Sequence, residues 1–461
     1  MYFELTPYLI MLIVPLTVVA IDLVINSKRI PYLLTIIGIL ISISLFLDIL
    51  LSGTSFNKYM ISVNKFSIYL SIIFLIGGIL TATVSNEFLE SAHAEFYSLL
   101  SFSLLGMMLA VSTKNLIMIY IGMELASLSL IPLVSFFKKK EKSTEAALKY
   151  LILNGISSAL FIYGISLFYV STSTTNLIQL SKISLGPLSL PALAFVVVGI
   201  GFKISAVPFH FWAPDTFEGA PTPITSFLSS SSKKMGFGVA LLIFPMALAS
   251  YQANWTTVFA ILAVGTMTLG NIAAIKQENI KRMLAYSSIS QSGYILIGLA
   301  VATKIGLAGS LIQILAHNLG SGAAFILIGG IALTINTELI EEFKGLGKSS
   351  PLIALALTIC LLSLGGIPPF AGFLSKFILF LSAIEENMLW LAVIGIINSA
   401  ISIYYYANVI KNMYFYDKQI KSEISRPFKI IAVFAILSLI AVGLGYDPIL
   451  ELAIEAANTL T

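Results

Sequence analysis

Long apolar segments recur along the whole chain and constrain its fold more than any other feature. Each is about 20 residues long, the length that an α-helix needs to cross the ~30 Å hydrocarbon core of a bilayer. Backbone groups in lipid must be hydrogen-bonded within the protein, so such segments predict membrane-spanning helices. The sequence therefore predicts an all-α polytopic membrane protein with about fourteen transmembrane helices, near residues 5–26, 31–51, 66–85, 95–113, 115–137, 146–171, 190–213, 222–248, 255–274, 284–302, 306–335, 351–383, 388–410 and 428–446.

The distribution of charge predicts how these helices are oriented. Only 10% of the residues are charged and 58% are hydrophobic, whereas an ordinary soluble domain has about 25% charged residues. Lys and Arg residues accumulate in cytoplasmic loops. With fourteen helices, the loops after even-numbered helices hold 5 basic residues. The loops after odd-numbered helices hold 16, namely Lys28, Arg29, Lys138, Lys139, Lys140, Lys142, Lys276, Lys281, Arg282, Lys344, Lys348, Lys411, Lys418, Lys421, Arg426 and Lys429. This asymmetry predicts that both termini lie outside, and it explains the net charge of +4 without nucleic-acid binding.

Six ionisable residues fall inside the predicted helices, where water is scarce. A charged side chain at the bilayer centre costs about 2.5 to 3.5 kcal/mol even on the lenient insertion scale. Six such residues predict a polar pathway inside the protein, unless most of the side chains reach the headgroups. They are Glu124, Lys149, Lys203, Lys233, Lys234 and Lys376.

Three of these residues differ in how easily their side chains could reach water. Lys203 lies more than ten residues into its apolar segment, where reaching the headgroups is difficult, and the short stem of Glu124 cannot reach them at all. Both positions favour a functional role. Lys149 lies near the start of its helix, so a side chain extended to the headgroups explains it as well as function does.

The remaining interior residues are a lysine pair, a single lysine and a histidine. Lys233 and Lys234 point about 100° apart on a helix, so we expect at most one of them to face the same interior as the other charges. Lys376 is central to a long apolar segment. His317 is a lone membrane histidine, and such a residue is as often a hydrogen-bonded core residue as a functional one.

Prolines interrupt two of the apolar segments that carry lysines. The segment GFKISAVPFHFWAPD contains Lys203 followed by Pro208 and Pro214, and GGIPPFAGFLSKF carries a Pro-Pro pair before Lys376. Proline removes a backbone hydrogen bond and clashes with the preceding turn, so both helices should break. Broken membrane helices persist only where the freed groups meet protein or water, which predicts a hydrated cavity beside Lys203. Two interrupted segments in corresponding halves also indicate inverted repeats with sites near the midplane.

The motifs that are missing limit what the interior lysines can do. The sequence has one cysteine and no iron–sulfur, haem, nucleotide-loop or dinucleotide motif. Burial can lower the pKa of a lysine by up to about 3 to 5 units, which brings it into the range in which a lysine exchanges protons at neutral pH. The sequence therefore predicts proton transfer driven by energy from another chain or from an ion gradient.

Five segments together resemble a known family. They are IGMELASLSLIPL, EAALKYLILNGISSALFIYG, GFKISAVPFHFWAPDTFEGAPTPITSFLSSSSKKMGFGV, NIAAIKQENIKRMLAYSSISQSGYILIG and GGIPPFAGFLSKF. In this combination they are similar to the antiporter-like membrane subunits of respiratory complex I, from about residue 95 to residue 415. The chain length and a lysine at position 376 are most similar to the subunit N branch of that family.

The resemblance implies an arrangement of the chain and a role for each residue. The expected parts are a three-helix segment at 1–94, two inverted five-helix repeats at 95–250 and 251–415, and a C-terminal helix in 416–461, with the seventh and twelfth helices broken. Glu124 and Lys149 match a modulating ion pair, and Lys203 matches the central lysine. The remaining matches are Lys233 for the connecting lysine, His317 for a position often occupied by histidine or lysine, and Lys376 for the terminal residue nearest the exit. Whether Lys233 or Lys234 is the connecting residue stays open.

The same resemblance implies partners and leaves two functions open. The first is a proton-translocating subunit of a complex I-type quinone oxidoreductase in the cell membrane or an equivalent energy-transducing membrane. This chain would bind no cofactor, while quinone, iron–sulfur clusters and flavin would be bound by partner subunits of the hetero-oligomer. The alternative is a subunit of a multi-subunit cation/proton antiporter.

Overall fold

The described part of the chain is almost entirely helical. The structure is a computed structural model that describes residues 3–25, 27–58, 60–137, 140–183, 186–416 and 423–460. The first six α-helices among these residues are α1 (Thr6–Asp22), α2 (Arg29–Ser52), α3 (Lys65–Ser85), α4 (His93–Val111), α5 (Leu116–Val134) and α6 (Glu141–Thr172). The next seven are α7 (Leu177–Leu180), α8 (Ser189–Lys203), α9 (Trp212–Gly219), α10 (Thr222–Phe227), α11 (Lys233–Ala247), α12 (Gln252–Ile275) and α13 (Ile280–Val301). The last seven are α14 (Lys304–Ile335), α15 (Leu346–Ser349), α16 (Pro351–Gly365), α17 (Ala371–Glu385), α18 (Leu389–Tyr414), α19 (Arg426–Leu444) and α20 (Tyr446–Asn458). Two three-residue strands, β1 (Phe56–Lys58) and β2 (Ile61–Val63), form an antiparallel hairpin.

The predicted membrane fold is confirmed. Among the described residues, eleven helices are long and apolar enough to cross a membrane. The other three predicted spans coincide with composite segments: α8 with α9, α10 with α11, and α16 with α17. Four basic residues that entered the topology prediction, Lys138, Lys139, Lys418 and Lys421, lie outside the described residues, as does the C-terminal Thr461.

Both predicted helix breaks are present. The first separates α8 from α9 and contains Pro208. Pro214 was also expected to break the helix, but it lies in the first turn of α9, where its missing N–H has no helical partner to lose. In the second break, Gly366 ends α16 with a φ of 79°, a conformation that favours glycine, and α17 starts after the two prolines.

The segment formed by α10, a π-helical turn and α11 runs through the interior of the protein. A single π-helical turn, Leu228–Ser232, joins α10 to α11, and every residue of that turn is buried. This segment packs against α3 and α14, whereas α1, α2, α6, α18 and α19 present exposed apolar side chains on their outer faces. The outer faces of these helices therefore suit lipid, while the π-helical turn brings serine hydroxyls into the interior of the bundle.

The C-terminal segment contains one more helix than the sequence predicted. After the predicted last span, α20 packs against α3 and α14, and Glu455 on it pairs with Lys65 at 2.9 Å. Its acidic residues lie on the exposed side and its alanines are buried, so α20 is an amphipathic helix that covers one end of the bundle.

Candidate functional site

Lys203 ends α8, and its ammonium group lies where α5, α6 and α8 meet. Its Nζ donates hydrogen bonds to Ser127 Oγ and, at 2.6 Å, to Asn154 Oδ1. Glu124 Oε1 lies 4.0 Å from the same nitrogen. Glu124 and Ser127 are three residues apart on α5 and so share one helix face. The side chain of Lys203 is 5% exposed and that of Glu124 is 20% exposed, so these two predicted residues meet inside the bundle.

Protein groups take up two of the polar backbone groups that the first break sets free. The indole Nε1 of Trp212 donates to the carbonyl of Phe202 at 2.9 Å. The backbone N–H of Val207 donates to Thr266 Oγ1 at 3.0 Å. The sequence argument predicted water at the break, but these two groups are satisfied without it. Ser205 Oγ, by contrast, is buried and has no hydrogen-bond partner among the described residues.

Lys149 does not contact Glu124, with which the resemblance paired it. Its Nζ lies 2.7 Å from Asp215 Oδ2 and 2.7 Å from Glu145 Oε1 on its own helix. Lys149 lies in the first turns of α6 and its side chain is 43% exposed, whereas Glu124 lies deeper and faces Lys203. The expected direct pair is therefore absent from the described residues in this conformation, because two nearer carboxylates bind the lysine.

An ion cluster formed by Lys142, Glu145, Lys149, Asp215, Glu218 and Arg282 lies around this lysine. Arg282 Nη1 lies 2.7 Å from Asp215 Oδ1 and 3.0 Å from Glu218 Oε2. Lys142 Nζ lies 3.1 Å from Glu218 Oε1. The six side chains line a cavity of about 160 Å³. The cluster joins α6 and α9 to the start of α13, and thus links the two predicted repeats.

Both lysines of the Lys233–Lys234 pair are buried, and their ammonium groups lie in different surroundings. Both residues are 0% exposed, because α11 is surrounded by other helices and either direction ends in protein. Lys233 Nζ donates to the carbonyl and to the hydroxyl of Ser288 on α13, at 3.0 and 3.1 Å. Lys234 Nζ has no hydrogen-bond partner among the described residues and lies 5.7 Å from the ring centre of Phe237.

His317 is buried on α14 and its imidazole is free to accept or donate. It is 1% exposed, and neither ring nitrogen has a hydrogen-bond partner among the described residues. The next residue, Asn318, donates to the carbonyl of Ser230 at 2.8 Å and so ties α14 to the π-helical turn. The histidine is therefore buried without a hydrogen-bond partner among the described residues, next to the residue that contacts the π-helical turn.

Lys376 lies on α17 beside the second break. Its Nζ donates to the carbonyl of Leu364 at 2.9 Å and to Ser399 Oγ at 3.0 Å. The ring centre of Tyr294 lies 4.3 Å from the same nitrogen. A Cβ on Gly366 would lie 2.9 Å from Lys376 Cδ, so the glycine leaves room for the lysine. Lys376 is 3% exposed.

Several residues of the site were not singled out from the sequence. Ser127 could have been found, because it lies one turn after Glu124 on the same face. Asp215 lies in the proline-rich segment quoted above, but its partner Arg282 is 67 residues away. Asn154 and Tyr294 carry no charge and contact the lysines only through the folded bundle, so the sequence gives no signal for them.

Comparison with known proteins shows similarity of this chain to a family of membrane proteins and to several of its members. Residues 113–402 match the family described as NADH:quinone oxidoreductase/Mrp antiporter, TM. The chain is 40% identical to the F420H2 dehydrogenase subunit N of Methanosarcina mazei, over 87% of this chain and 85% of that one. It is 38% identical to the NADH-quinone oxidoreductase subunit N of Heliobacterium modesticaldum, over 88% of this chain and 89% of that one.

Solved structures show the same fold. A chain of respiratory complex I from Thermus thermophilus superposes with a TM-score of 0.86 at 30% identity, covering 97% of this chain and 99% of that chain. A chain of the Mrp complex from Dietzia superposes with a TM-score of 0.92 at 20% identity, covering 100% of this chain and 98% of that chain. At 20% identity, the second likeness concerns the fold alone.

Proposed function

The chain belongs to the NADH:quinone oxidoreductase/Mrp antiporter family of membrane proteins, and on that premise we propose that it is the proton-translocating membrane subunit of a complex I-type quinone oxidoreductase. One observation carries the proposal: four lysines within the predicted membrane helices are buried, Lys203, Lys233, Lys234 and Lys376, with exposed fractions of 6%, 0%, 0% and 3%. Charged groups at membrane depth are costly and are typical of ion pathways.

In the proposed relay, Glu124 controls whether Lys203 holds a proton. A carboxylate within about 4 to 6 Å favours the charged form of an amine, and Glu124 lies 4.0 Å from Lys203 Nζ. Movement of Glu124 would therefore release or recapture the proton. Lys149 is the modulating residue, because release from Asp215 and Glu145 would let it compete with Lys203 for Glu124.

From Lys203, the proton passes through the lysine pair and His317 to Lys376 in this proposal. Lys233 is held by Ser288, which suits a group with one fixed position. Lys234 and His317 have no hydrogen-bond partner among the described residues, which leaves their nitrogens available to exchange a proton. Lys233 and Lys234 thus provide two adjacent proton carriers at the position that connects Lys203 to Lys376.

Energy for the movement comes from electron transfer in other subunits. The relatives named above are subunits of an F420H2 dehydrogenase and of an NADH-quinone oxidoreductase. We assign flavin, iron–sulfur clusters and quinone to such partner subunits, and none of them to this chain. The protein then works as one membrane subunit of a hetero-oligomer.

The multi-pass chain lies in an energy-transducing membrane. Its proposed orientation follows from the basic loops, because Lys and Arg accumulate on the cytoplasmic side. Both termini face outward, and the ion cluster faces the cytoplasm, because it includes Lys142 and Arg282 from basic loops. The two five-helix repeats at 95–250 and 251–415 are part of the same proposal, with one broken helix and one buried lysine beside each break.

Proton uptake by inverted membrane vesicles that contain the whole complex tests the function. The vesicles are supplied in turn with NADH and with reduced F420, and uptake is normalised to the assembled complex. Lys203→Gln should abolish donor-driven uptake, whereas Lys304→Gln, a change at the exposed first residue of α14, should leave it unchanged. Uptake by the Lys203→Gln complex at the normal rate would contradict the proposal.

The same vesicles distinguish the proposed function from the alternative, a subunit of a cation/proton antiporter. An antiporter moves protons in exchange for Na⁺ or K⁺ without any electron donor. Proton flux that depends on Na⁺ and persists without NADH or reduced F420 would therefore replace the proposed function. Flux that requires the donor and co-purifying flavin and iron–sulfur subunits would support it.

A further inference from the structure

Two interior lysines keep their ammonium groups in different surroundings. Lys203 has a carboxylate partner, Glu124, at 4.0 Å. Among the described residues, Lys376 has no such partner and is bound by a carbonyl, a hydroxyl and a ring. A buried ammonium group without compensation would be expensive. Something other than a carboxylate must therefore stabilise the proton on Lys376.

The ring of Tyr294 is placed to do this. Its centre lies 4.3 Å from Lys376 Nζ, within the distance of about 6 Å at which an aromatic face attracts a cation. Tyr294 is 0% exposed, and an edge of Phe380 packs against it at a centroid distance of 6.2 Å. The Tyr294 hydroxyl has no hydrogen-bond partner among the described residues, so the contacts of this residue are made by its ring.

The carbonyl of Leu364 supplies a second fixed dipole. Leu364 lies in the last turn of α16, where carbonyl groups lack helical partners and the helix end is negative. Gln291 also donates to this carbonyl at 2.8 Å, and Gln313 donates to the Gln291 side chain at 2.8 Å. Ser375 in turn donates to Gln313. This amide chain holds the carbonyl in place whether or not Lys376 carries a proton.

We propose that Tyr294 is a positioning residue of the proton relay: its ring face, together with the Leu364 carbonyl, takes the place at Lys376 that Glu124 takes at Lys203. The inference rests on the proposed function, since it assumes that Lys376 carries a proton during turnover. It implies that the two halves of the relay are controlled differently. A mobile carboxylate can switch Lys203, whereas the groups around Lys376 are fixed.

Ring-fluorinated phenylalanines at position 294 test the proposal in the whole complex. Fluorine weakens the negative face of the ring and hardly changes its size. Tyr294→Phe should keep proton uptake within about twofold of the wild type, because the hydroxyl has no partner. Uptake should then fall progressively as one, two and three fluorines are added. Tyr294→Leu should lower it by about 2- to 30-fold, the population change that about 0.5–2 kcal/mol of cation–π attraction corresponds to.

Matched controls separate the ring's electronics from packing. The same fluorinated residues at Phe244, which packs between Trp255 and Phe259 with ring distances of 5.7 and 4.7 Å, should leave uptake unchanged. If Tyr294→Leu fails to assemble, the fluorinated series still decides, because it preserves the packing. Equal uptake across that series would overturn the proposal. So would loss of activity in Tyr294→Phe, which would assign the role to the hydroxyl.

One further variant distinguishes failure of the inference about Tyr294 from failure of the proposed function. Lys376→Gln should abolish uptake in an assembled complex. If it pumps normally, the relay through Lys376 is wrong, and the inference about Tyr294 falls with it. If Lys376→Gln is inactive and fluorination has no effect, only the inference about Tyr294 is wrong.

Discussion

Replacement of Glu124 by glutamine should uncouple Lys203 from its switch without disturbing the packing around it. Glutamine has nearly the same shape and removes only the negative charge. The ammonium of Lys203 would keep its hydrogen bonds to Ser127 and Asn154. The substitution therefore removes one interaction only, the charge attraction between Glu124 and Lys203, whose charged groups are 4.0 Å apart.

The size of this interaction follows from the distance and the surroundings. Two unit charges at 4 Å attract by about 1 kcal/mol in water and by about 4 kcal/mol at an effective dielectric constant of 20. Lys203 and Glu124 are 5% and 20% exposed, so the pair lies between these limits. At about 1.36 kcal/mol for each factor of ten, loss of the charge changes the balance between charged and neutral Lys203 by about 5- to 1,000-fold.

Proton uptake per electron transferred is the quantity to measure, in vesicles with equal amounts of assembled complex. We expect Glu124→Gln to lower it at least about fivefold. Glu124→Asp shortens the side chain by about 1.5 Å and weakens the attraction to about 3 kcal/mol at the same dielectric constant, so it should fall between glutamine and the wild type. Glu455→Gln is the control, because the exposed pair of Glu455 with Lys65 contributes little. Normal uptake by an assembled Glu124→Gln complex would refute the switch.

Three further outcomes are expected. Lys203→Arg should impair uptake as severely as Lys203→Gln, because arginine keeps the charge but cannot release its proton; substantial activity in the arginine variant would limit Lys203 to a fixed charge. Reporter fusions at Lys140 and at Thr461 should report opposite sides of the membrane, and the same side would mean that the helix count is wrong. Gly372→Ala should reduce the amount of assembled complex, because its Cβ would lie 1.8 Å from a backbone carbonyl oxygen, whereas Gly155→Ala has no atom within 4 Å and should assemble normally.

The membrane fold and the helix breaks could be predicted from the sequence, because both depend on local chemistry. An apolar segment of about 20 residues needs no tertiary information to indicate a membrane helix. Pro208 and the Pro-Pro pair before Lys376 interrupt helices through the missing N–H and the clash of the ring. Pro214 shows the limit of that reasoning, because a proline in the first turn of a helix leaves the helix intact.

The partners of the interior charges could not be predicted from the sequence. Lys149 was expected beside Glu124, but it binds Asp215, 66 residues away, on a helix that exists only because the chain breaks before Trp212. Lys233 and Lys234 were expected to point in different directions, and Lys233 binds Ser288 whereas Lys234 lies near Phe237. The direction in which a side chain leaves a helix does not show which residues it meets. Both lysines of α11 are buried by other parts of the protein.

The two broken helices also resolve a mismatch in the sequence, where the lysine precedes the proline in one segment and follows it in the other. Lys203 is itself the last residue of α8. Lys376 lies on the second half-helix, but its Nζ reaches back to the carbonyl of Leu364 at the end of α16. Lys203 therefore ends the first half-helix of its pair, and the Lys376 ammonium contacts the C-terminal end of the first half-helix of the other pair, where the helix dipole favours a cation. Opposite sequence orders thus bring both lysines to a helix break, and in the described part of the chain a carboxylate lies beside only one of them, Lys203.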